Sequence, residues 1–398
     1  MKYGILGSIY KFVHSVLPCA FITLSVGAIY AFSLFAPHIS EALGTTKVQT
    51  QFAFSLSIFF LGMGAAFFGP LVEKRIKTAA TVSTVLFFLG LVTSGLGIRF
   101  KNIWLVYLGT GLFCGLAEGC GYVVPVKNLI LWYSKSRFKG VIMAVSIISF
   151  GLGSTVCSWM FDKIVPRLGI ECGYYAFAGI YLAAMLLGVF FVRKPFYATS
   201  KLAAPSDFKV SSLFTDGFFW KAWTFMFLNI SMGLILIGSC ASIIRESGLK
   251  PELVITVMML CGLFNGGGRL VFPFISDFLK KRINVLYITL AVEIILMAVG
   301  AAWYSLIPWA IVGVNACYGS FFACLPSILR DHYGVSRLST IHGAVLSSWG
   351  FAALFAFACL YVMSLFTQTY YFLAFVLLAV YVLNLFVVRS ASKSAPVE

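Results

Sequence analysis

The chain has 398 residues, of which 61% are hydrophobic and 11% are charged, and its formal net charge is +16. Soluble domains carry about 25% charged residues, so this composition excludes an ordinary soluble protein and predicts an all-α integral membrane protein. The basic balance alone would suggest a nucleic-acid partner. We expect none, because the basic residues cluster in the polar segments on one side of the apolar runs.

Twelve apolar runs are each long enough to cross a bilayer, which takes about 20 residues in a helix. We therefore expect twelve transmembrane helices. Numbered span 1 to span 12 in chain order, they cover residues 13–35, 49–71, 78–98, 103–127, 140–160, 173–192, 219–241, 253–275, 283–303, 305–327, 339–362 and 369–388.

The charge distribution predicts how the chain is oriented in the membrane. If both termini lie in the cytoplasm, most Lys and Arg residues fall on the cytoplasmic side, as the positive-inside rule requires. Lys127 and Arg269 belong to neither side, because they lie within spans. We expect a multi-pass protein with cytoplasmic termini, in the plasma membrane rather than in an organelle.

The segment 193–217 is polar, contains two Pro residues and separates span 6 from span 7. It predicts an N-terminal six-helix bundle over 1–192, a cytoplasmic linker over 193–217 and a C-terminal six-helix bundle over 218–398. Residues 62–77 align with residues 266–281, and the motif Tyr-x-x-Ser-Arg occurs at both 133–137 and 333–337. These matches indicate two pseudo-symmetric repeats, a plan in which transporters place the substrate at the repeat interface.

Arg269 lies inside the apolar run of span 8, in the stretch FNGGGRLVF. A charge near the bilayer centre costs roughly 2.5–3.5 kcal/mol on insertion scales, so such a residue usually has a function. A guanidinium binds a carboxylate through two parallel hydrogen bonds. Arg269 therefore indicates a carrier of small organic anions. The alternative is that Arg269 pairs with a nearby Glu for structural reasons.

The remaining polar residues show no pattern typical of an enzyme. The ten Cys residues form no CxxC pair, and the four His residues are scattered, so no metal-ligand spacing is present. No GxSxG motif and no P-loop occurs. We expect no catalytic activity, no cofactor and no bound metal.

The segment GPLVEKRIK at 69–77 resembles the Gly-x-x-x-Asp-Arg-x-Gly-Arg-Lys loop of the major facilitator superfamily, with Glu73 for Asp and Lys74 for Arg. The resemblance implies a fold of two pseudo-symmetric six-helix bundles. It also implies a gating role for this loop, with Glu73, Lys74 and Arg75 on one side and Asp277 at the matching place in the second repeat.

Within that superfamily, four segments resemble oxalate/formate antiporter-like carriers and monocarboxylate transporters: 27–35, 115–154, 265–272 and 339–350. The resemblance implies that Arg269 holds the carboxylate of the substrate. It further implies that the aromatic residues Tyr30, Tyr122, Tyr318 and Phe322 line the chamber, to which Trp349 would add an apolar wall. Each of these rings could instead pack against helices or lipid.

Departures from the relatives bear on the substrate. Proton-coupled monocarboxylate transporters carry an Asp four residues before the Arg and a Lys in span 1. This chain has Asn265 and no such Lys. Oxalate antiporters pair the Arg with a Lys in span 11, where Trp349 lies here. With one fixed cation, we expect a monocarboxylate of the size of pyruvate, lactate or formate, with Asn265 beside Arg269 at the site.

Two further ionisable residues in the spans could serve coupling. Glu118 could carry a proton, pair with Arg269 in the empty state, or act as a polar packing group. His342 lies seven residues before Trp349 and could supply a switchable positive charge. Glu293 in span 9 is expected to be structural.

The residues thus predict a secondary transporter that works by alternating access, with a small organic anion and the lipid bilayer as partners. The family resemblance implies a monomer. A superfamily carrier of another solute or a drug, and a non-transporting membrane receptor, remain the alternatives. Exchange, proton symport and facilitated diffusion are all open.

Overall fold

The computed structural model describes residues 5–133, 139–195, 210–279, 281–334 and 338–364. All regular structure in these ranges is helical. The α-helices are Ile5–Val26, Phe32–Leu43, Lys47–Lys74, Ile76–Arg99, Ile103–Val106, Gly115–Tyr133, Lys139–Phe191, Gly217–Glu246, Pro251–Ser276, Val285–Ala302, Ile307–Tyr333 and Leu338–Ser364. Short 3₁₀ segments cover Gly27–Ala31, Val210–Thr215, Arg282–Asn284 and Tyr304–Leu306, and a π-helix covers Tyr107–Cys114.

Eleven of the twelve predicted spans coincide with these helices. Among the described residues, ten helical segments are long and apolar enough to cross a membrane, and one of them, Ile148–Phe191, contains most of span 5 and of span 6. Span 12, at residues 369–388, lies outside the described residues. The linker is described only at its two ends, so the proposed boundaries at 192 and 218 stay a prediction. Below, spans 1–6 are called the N-terminal half and spans 7–12 the C-terminal half.

Spans 5 and 6 lie in a helical stretch of 53 residues, Lys139–Phe191, which consists of two helices separated by a kink at Gly169. At 1.5 Å per residue a straight helix of this length would measure about 80 Å, far more than one bilayer crossing needs. Gly169 has φ 75 and ψ 170, a conformation that side chains disfavour. The chain therefore reverses near Gly169 and crosses twice, as the sequence predicts.

Span 1 is not a uniform helix. Its first part, Ile5–Val26, gives way to the 3₁₀ segment Gly27–Ala31 before the helix continues at Phe32. A mid-helix 3₁₀ stretch often marks a hinge or a functional site. Here it carries Tyr30, so the tighter winding sets the direction of a predicted site residue.

Side chains that accept hydrogen bonds from backbone N–H groups fix the start of two spans. Span 2 begins after Thr46, whose side chain accepts from the N–H of Gln49, while the Gln49 side chain accepts from the N–H of Thr46. Span 7 begins after Asp216, which accepts from the N–H of Phe218 at 2.8 Å. Such caps satisfy donors that a helix start would otherwise leave free.

Spans 2 and 11 bring the two halves together, because glycine allows their backbones to touch. A Cβ on Gly62 would lie 2.4 Å from the backbone N of Gly350. Spans 5 and 8 meet in the same way, through Gly151 and the backbone of Gly266. Small residues permit this close approach between membrane helices. Arg269 and Tyr30, two of the predicted site residues, lie close to where these helices meet.

Candidate functional site

Arg269 is positioned by the close packing of span 8 against span 10. A Cβ on Gly268 would lie 1.9 Å from the carbonyl oxygen of Ala316, and one on Gly319 would lie 2.1 Å from that of Asn265. Gly266 and Gly268 thus admit neighbouring helices, and the helix Pro251–Ser276 is continuous.

The Arg269 side chain is completely buried, with 0% exposure. Its Nε donates to Asn265 Oδ1 at 3.1 Å. Its guanidinium carbon lies 5.1 Å from the ring centroid of Phe150 and 5.2 Å from that of Phe322. Cations are attracted to aromatic faces within about 6 Å. The charge therefore lies between rings from opposite halves of the molecule, and the hydrogen bond to Asn265 orients the guanidinium.

Aromatic side chains surround this guanidinium. The Tyr30 and Tyr318 hydroxyls are hydrogen-bonded at 3.1 Å, which joins the two halves directly. The Trp349 ring centroid lies 4.3 Å from Phe322, 5.5 Å from Tyr122 and 5.9 Å from Phe150. Arg269 is within electrostatic reach of three tyrosine hydroxyls, those of Tyr30, Tyr122 and Tyr318. We call this set of seven residues the central site. It consists of Arg269 and the six aromatic residues Tyr30, Tyr122, Phe150, Tyr318, Phe322 and Trp349.

The central site is closed in this structure. None of its rings is more than 5% exposed, and Trp349, Phe150 and Phe322 are completely buried. The structure thus brings together the seven residues that the sequence assigned to the substrate chamber: Tyr30, Tyr122, Asn265, Arg269, Tyr318, Phe322 and Trp349. A closed arrangement at the interface of the halves is what an occluded transporter requires.

The chemistry of the central site suits an anion with a small apolar part. The guanidinium offers donors in a planar fork. Asn265 Nδ2 is buried and has no hydrogen-bond partner among the described residues, so it is a second donor next to Arg269. The rings supply apolar walls. None of the eight side chains named here is acidic.

Glu118 lies in a different environment from Arg269. Its Oε2 accepts a hydrogen bond from Ser57 at 3.0 Å. It lines a cavity of ≈ 50 Å³ whose walls, which include Phe87, Thr110 and Tyr174, all belong to the N-terminal half. The structure therefore presents Glu118 to the interior of one half, not to the ring of residues around the guanidinium.

His342 lies at the edge of the central site. Its side chain is completely buried, and its ring centroid is 6.2 Å from that of Tyr122. In the part of the chain that the structure describes, neither ring nitrogen has a hydrogen-bond partner. Glu293, expected to be structural, accepts from Asn229 Nδ2 at 3.2 Å, which links span 9 to span 7.

The acids of the two predicted gating loops each pair within their own half. Glu73 forms a salt bridge with Lys127 of span 4, the intramembrane lysine that the sequence left unassigned. Asp277 pairs with Arg282, which also reaches Asp331 at 3.2 Å. Lys74 and Arg75 are exposed at the end of span 2.

Phe150 is the site residue that sequence reasoning missed. Aromatic residues make up 17% of the chain, so one more Phe in an apolar span carries no signal of its own. A signal was available in the adjacent Gly151, because a glycine within a span marks a close helix contact. That contact is with Gly266 of span 8, three residues before Arg269.

Comparison with known proteins identifies the family. The family model described as Major Facilitator Superfamily matches residues 16–357. The chain belongs to the major facilitator superfamily. It is therefore a multi-pass membrane protein of a family of transporters, and the fold predicted from the sequence is confirmed.

Two curated members of the superfamily align with most of the chain. The MFS-type transporter YhjX of Escherichia coli (strain K12) is 25% identical over 341 residues, which is 83% of each chain. The oxalate:formate antiporter of Oxalobacter formigenes is 22% identical over 366 residues, covering 88% of this chain and 84% of the antiporter.

Solved structures share the fold at lower sequence identity. The proton:xylose symporter XylE has a TM-score of 0.75 and 12% identity, with 98% of this chain and 97% of that chain covered. A bacterial homologue of the iron transporter ferroportin, in its outward-facing state, has a TM-score of 0.69 and 12% identity, with 96% and 99% covered.

Proposed function

We propose that this protein is a secondary transporter that moves a small monocarboxylate by alternating access, with Arg269 as the ligand of the carboxylate. The observation that carries the proposal is the burial of this guanidinium between rings of both halves, beside the unpartnered amide nitrogen of Asn265. Similarity to an oxalate:formate antiporter supports an organic acid as the substrate class.

The number of fixed charges favours a monoanion over a dianion. Among the residues of the central site, Arg269 alone carries a permanent charge. A second carboxylate would be buried against rings such as Trp349 and Phe322, and burying an uncompensated charge is costly. An acid of the size of formate, lactate or pyruvate avoids that cost, with its apolar end against Trp349.

Transport requires the halves to separate on one side of the membrane at a time. The hydroxyl contact between Tyr30 and Tyr318 crosses the interface, as do the packing contacts of Arg269 with Phe150. These contacts would break when the central site opens. A bound substrate would then provide new contacts between the halves in the occluded state. It would thereby shift the equilibrium between open and occluded states toward the occluded one.

The orientation and the gating loops complete the proposal. The protein lies in the plasma membrane with both termini in the cytoplasm, and it works as a monomer. The loops at Glu73, Lys74 and Arg75 and at Asp277 gate the cytoplasmic side. Glu118 and His342 are the candidate coupling groups. Glu118 is the stronger one, because it lines a cavity.

Counterflow in proteoliposomes tests the proposal. Vesicles containing the purified protein are loaded in turn with formate, lactate, pyruvate, oxalate, xylose or a cationic drug, and uptake of the same radiolabelled compound is followed. We expect counterflow with at least one monocarboxylate, abolished by Arg269→Ala. Counterflow restricted to the sugar or the drug would support another superfamily carrier. Undiminished counterflow in Arg269→Ala would overturn the role of Arg269.

A further inference from the structure

A second charged region, remote from the central site, lies where span 2 ends and span 3 begins. The chain there forms a cavity of ≈ 300 Å³ that opens to the surface and is much larger than the cavity beside Glu118. Five basic residues and Thr78 line it. We call this region the basic cavity, defined by Lys74, Arg75, Lys77, Thr78, Arg193 and Lys194.

Backbone contacts hold the two sides of the basic cavity together. Trp132 Nε1 donates to the carbonyl of Arg193 at 2.8 Å, which fixes the segment after span 6. Lys194 Nζ donates to the carbonyl of Lys74 at 2.7 Å, which ties that segment to the end of span 2. The cavity is thus a feature of the folded chain and joins two segments distant in sequence.

The positive charges of the basic cavity are not paired with acidic side chains in the part of the chain that the structure describes. Within the described ranges, none of the five basic side chains forms a salt bridge. The nearest acid, Glu73, is paired with Lys127. Partial burial, together with the charge of Lys127, lowers the pKa of Lys194, and Glu73 only partly opposes this. Positive charges that line one cavity repel one another, and a bound anion would offset this repulsion.

The start of span 3 adds backbone donors. The helix Ile76–Arg99 begins after Arg75, which provides no side-chain cap. The first intrahelical bond here is from the N–H of Ala79 to the carbonyl of Arg75, so the N–H groups of the preceding turn are available at the wall of the cavity. Helix starts attract anions through these donors and the helix dipole.

We propose that the basic cavity binds a phosphoryl group. Such a group carries up to two negative charges and several acceptor oxygens, which matches a set of basic side chains and N–H donors better than a single carboxylate does. It could belong to an anionic lipid headgroup or to a free phosphate. The charge distribution places the cavity on the cytoplasmic side, where anionic lipids accumulate.

Calorimetric titration of the full-length protein in a neutral detergent, at constant ionic strength, tests the proposal without any transported solute. The probes are inorganic phosphate and short-chain phosphatidic acid, with short-chain phosphatidylcholine as the uncharged-headgroup comparison. We expect saturable binding of at least one phosphoryl probe and none of phosphatidylcholine. Tighter binding of phosphatidic acid assigns the site to a lipid headgroup, and equal or tighter binding of phosphate assigns it to a soluble phosphate.

The site variant is Arg193→Gln/Lys194→Gln, and the matched control is Lys47→Gln/Lys250→Gln, which removes the same charge from exposed positions at the opposite end of the helices. We expect the site variant to weaken binding by about tenfold or more and the control to change it by less than about twofold. If the site variant does not fold, Lys77→Gln at an exposed helix position replaces it. Absence of saturable binding, or equal losses in site and control variants, overturns the proposal.

Discussion

The two halves of the molecule contribute different chemistry to the central site. The N-terminal half provides rings: Tyr30, Tyr122 and Phe150. The C-terminal half provides rings too, but also the charge of Arg269 and the amide of Asn265. In a pseudo-symmetric fold the two halves could have shared recognition equally. In the function we propose, one half holds the anion and the other closes over it.

The same halves also differ at the ends of spans 2 and 8. In the N-terminal half, Glu73 and Lys127 form one pair with side chains only 14% and 8% exposed. In the C-terminal half, Asp277 and Asp331 share Arg282, and all three side chains are 19% to 28% exposed. Equivalent positions thus hold a mostly buried pair in one half and a more hydrated network in the other.

Replacing the charged group of the C-terminal half should have the largest effect. Arg269→Lys keeps the charge but loses the planar fork that binds both carboxylate oxygens. We expect monocarboxylate counterflow to fall roughly 30-fold or more, the size of a binding hot spot of about 2 kcal/mol. The control is Arg245→Lys at an exposed position, which should retain wild-type rates. Equal rates in the two variants would contradict the role of the fork.

A second cation should change which acid is accepted. Trp349→Lys places an ammonium near Arg269, on the wall that the substrate's apolar end would otherwise contact. We expect competition by oxalate, relative to lactate, to strengthen about tenfold, equivalent to about 1.4 kcal/mol. Trp349→Met removes the ring without adding charge and should leave the relative preference unchanged. A similar shift in both variants would mean that space, not charge, selects the substrate.

The free energy of unfolding should distinguish the ion pairs at the ends of spans 2 and 8. Glu73→Gln leaves the Lys127 charge mostly buried and uncompensated, which we expect to cost about 2 kcal/mol. Asp277→Asn leaves Arg282 in contact with Asp331 and should cost at most about 1 kcal/mol. The exposed pair of Asp162 and Lys163 supplies the control, Asp162→Asn. Thermal unfolding in detergent should rank the three variants in this order, and the reverse order for Glu73 and Asp277 would refute the comparison.

The smallest effect on exchange is expected at Glu118. Because its contacts lie within the N-terminal half, Glu118→Gln should leave monocarboxylate counterflow within about threefold of wild type, a change below 1 kcal/mol. Stimulation of net uptake by an imposed pH gradient should be lost, since glutamine carries no proton. Ser57→Ala, which keeps the carboxyl group, should retain that stimulation. A loss of counterflow as large as in Arg269→Lys would instead place Glu118 among the binding residues.

Much of the fold could be predicted from the sequence, because apolar length and the positions of charges are direct consequences of the bilayer. Eleven spans are confirmed. The kink at Gly169 that separates spans 5 and 6 was not predicted, because the apolar pattern shows where a span ends but not the backbone conformation of the turn after it.

The site was predictable only in part. Arg269 stands out because a charge in an apolar run is costly, and resemblance to known carriers added Tyr30, Tyr122, Tyr318 and Trp349. Phe150 and the partner of Lys127 depend on how helices rotate against one another. Helical periodicity gives the residues of one face but does not say which face meets the other half, so these contacts required the structure.

The complete burial of Trp349 among rings from both halves gives the protein an intrinsic optical reporter. Indole emission moves to longer wavelengths when water reaches the ring, and soluble quenchers act only on accessible indoles. In a variant whose other tryptophans are replaced by phenylalanine, the colour of the emitted light would follow each opening of the molecule without any attached dye.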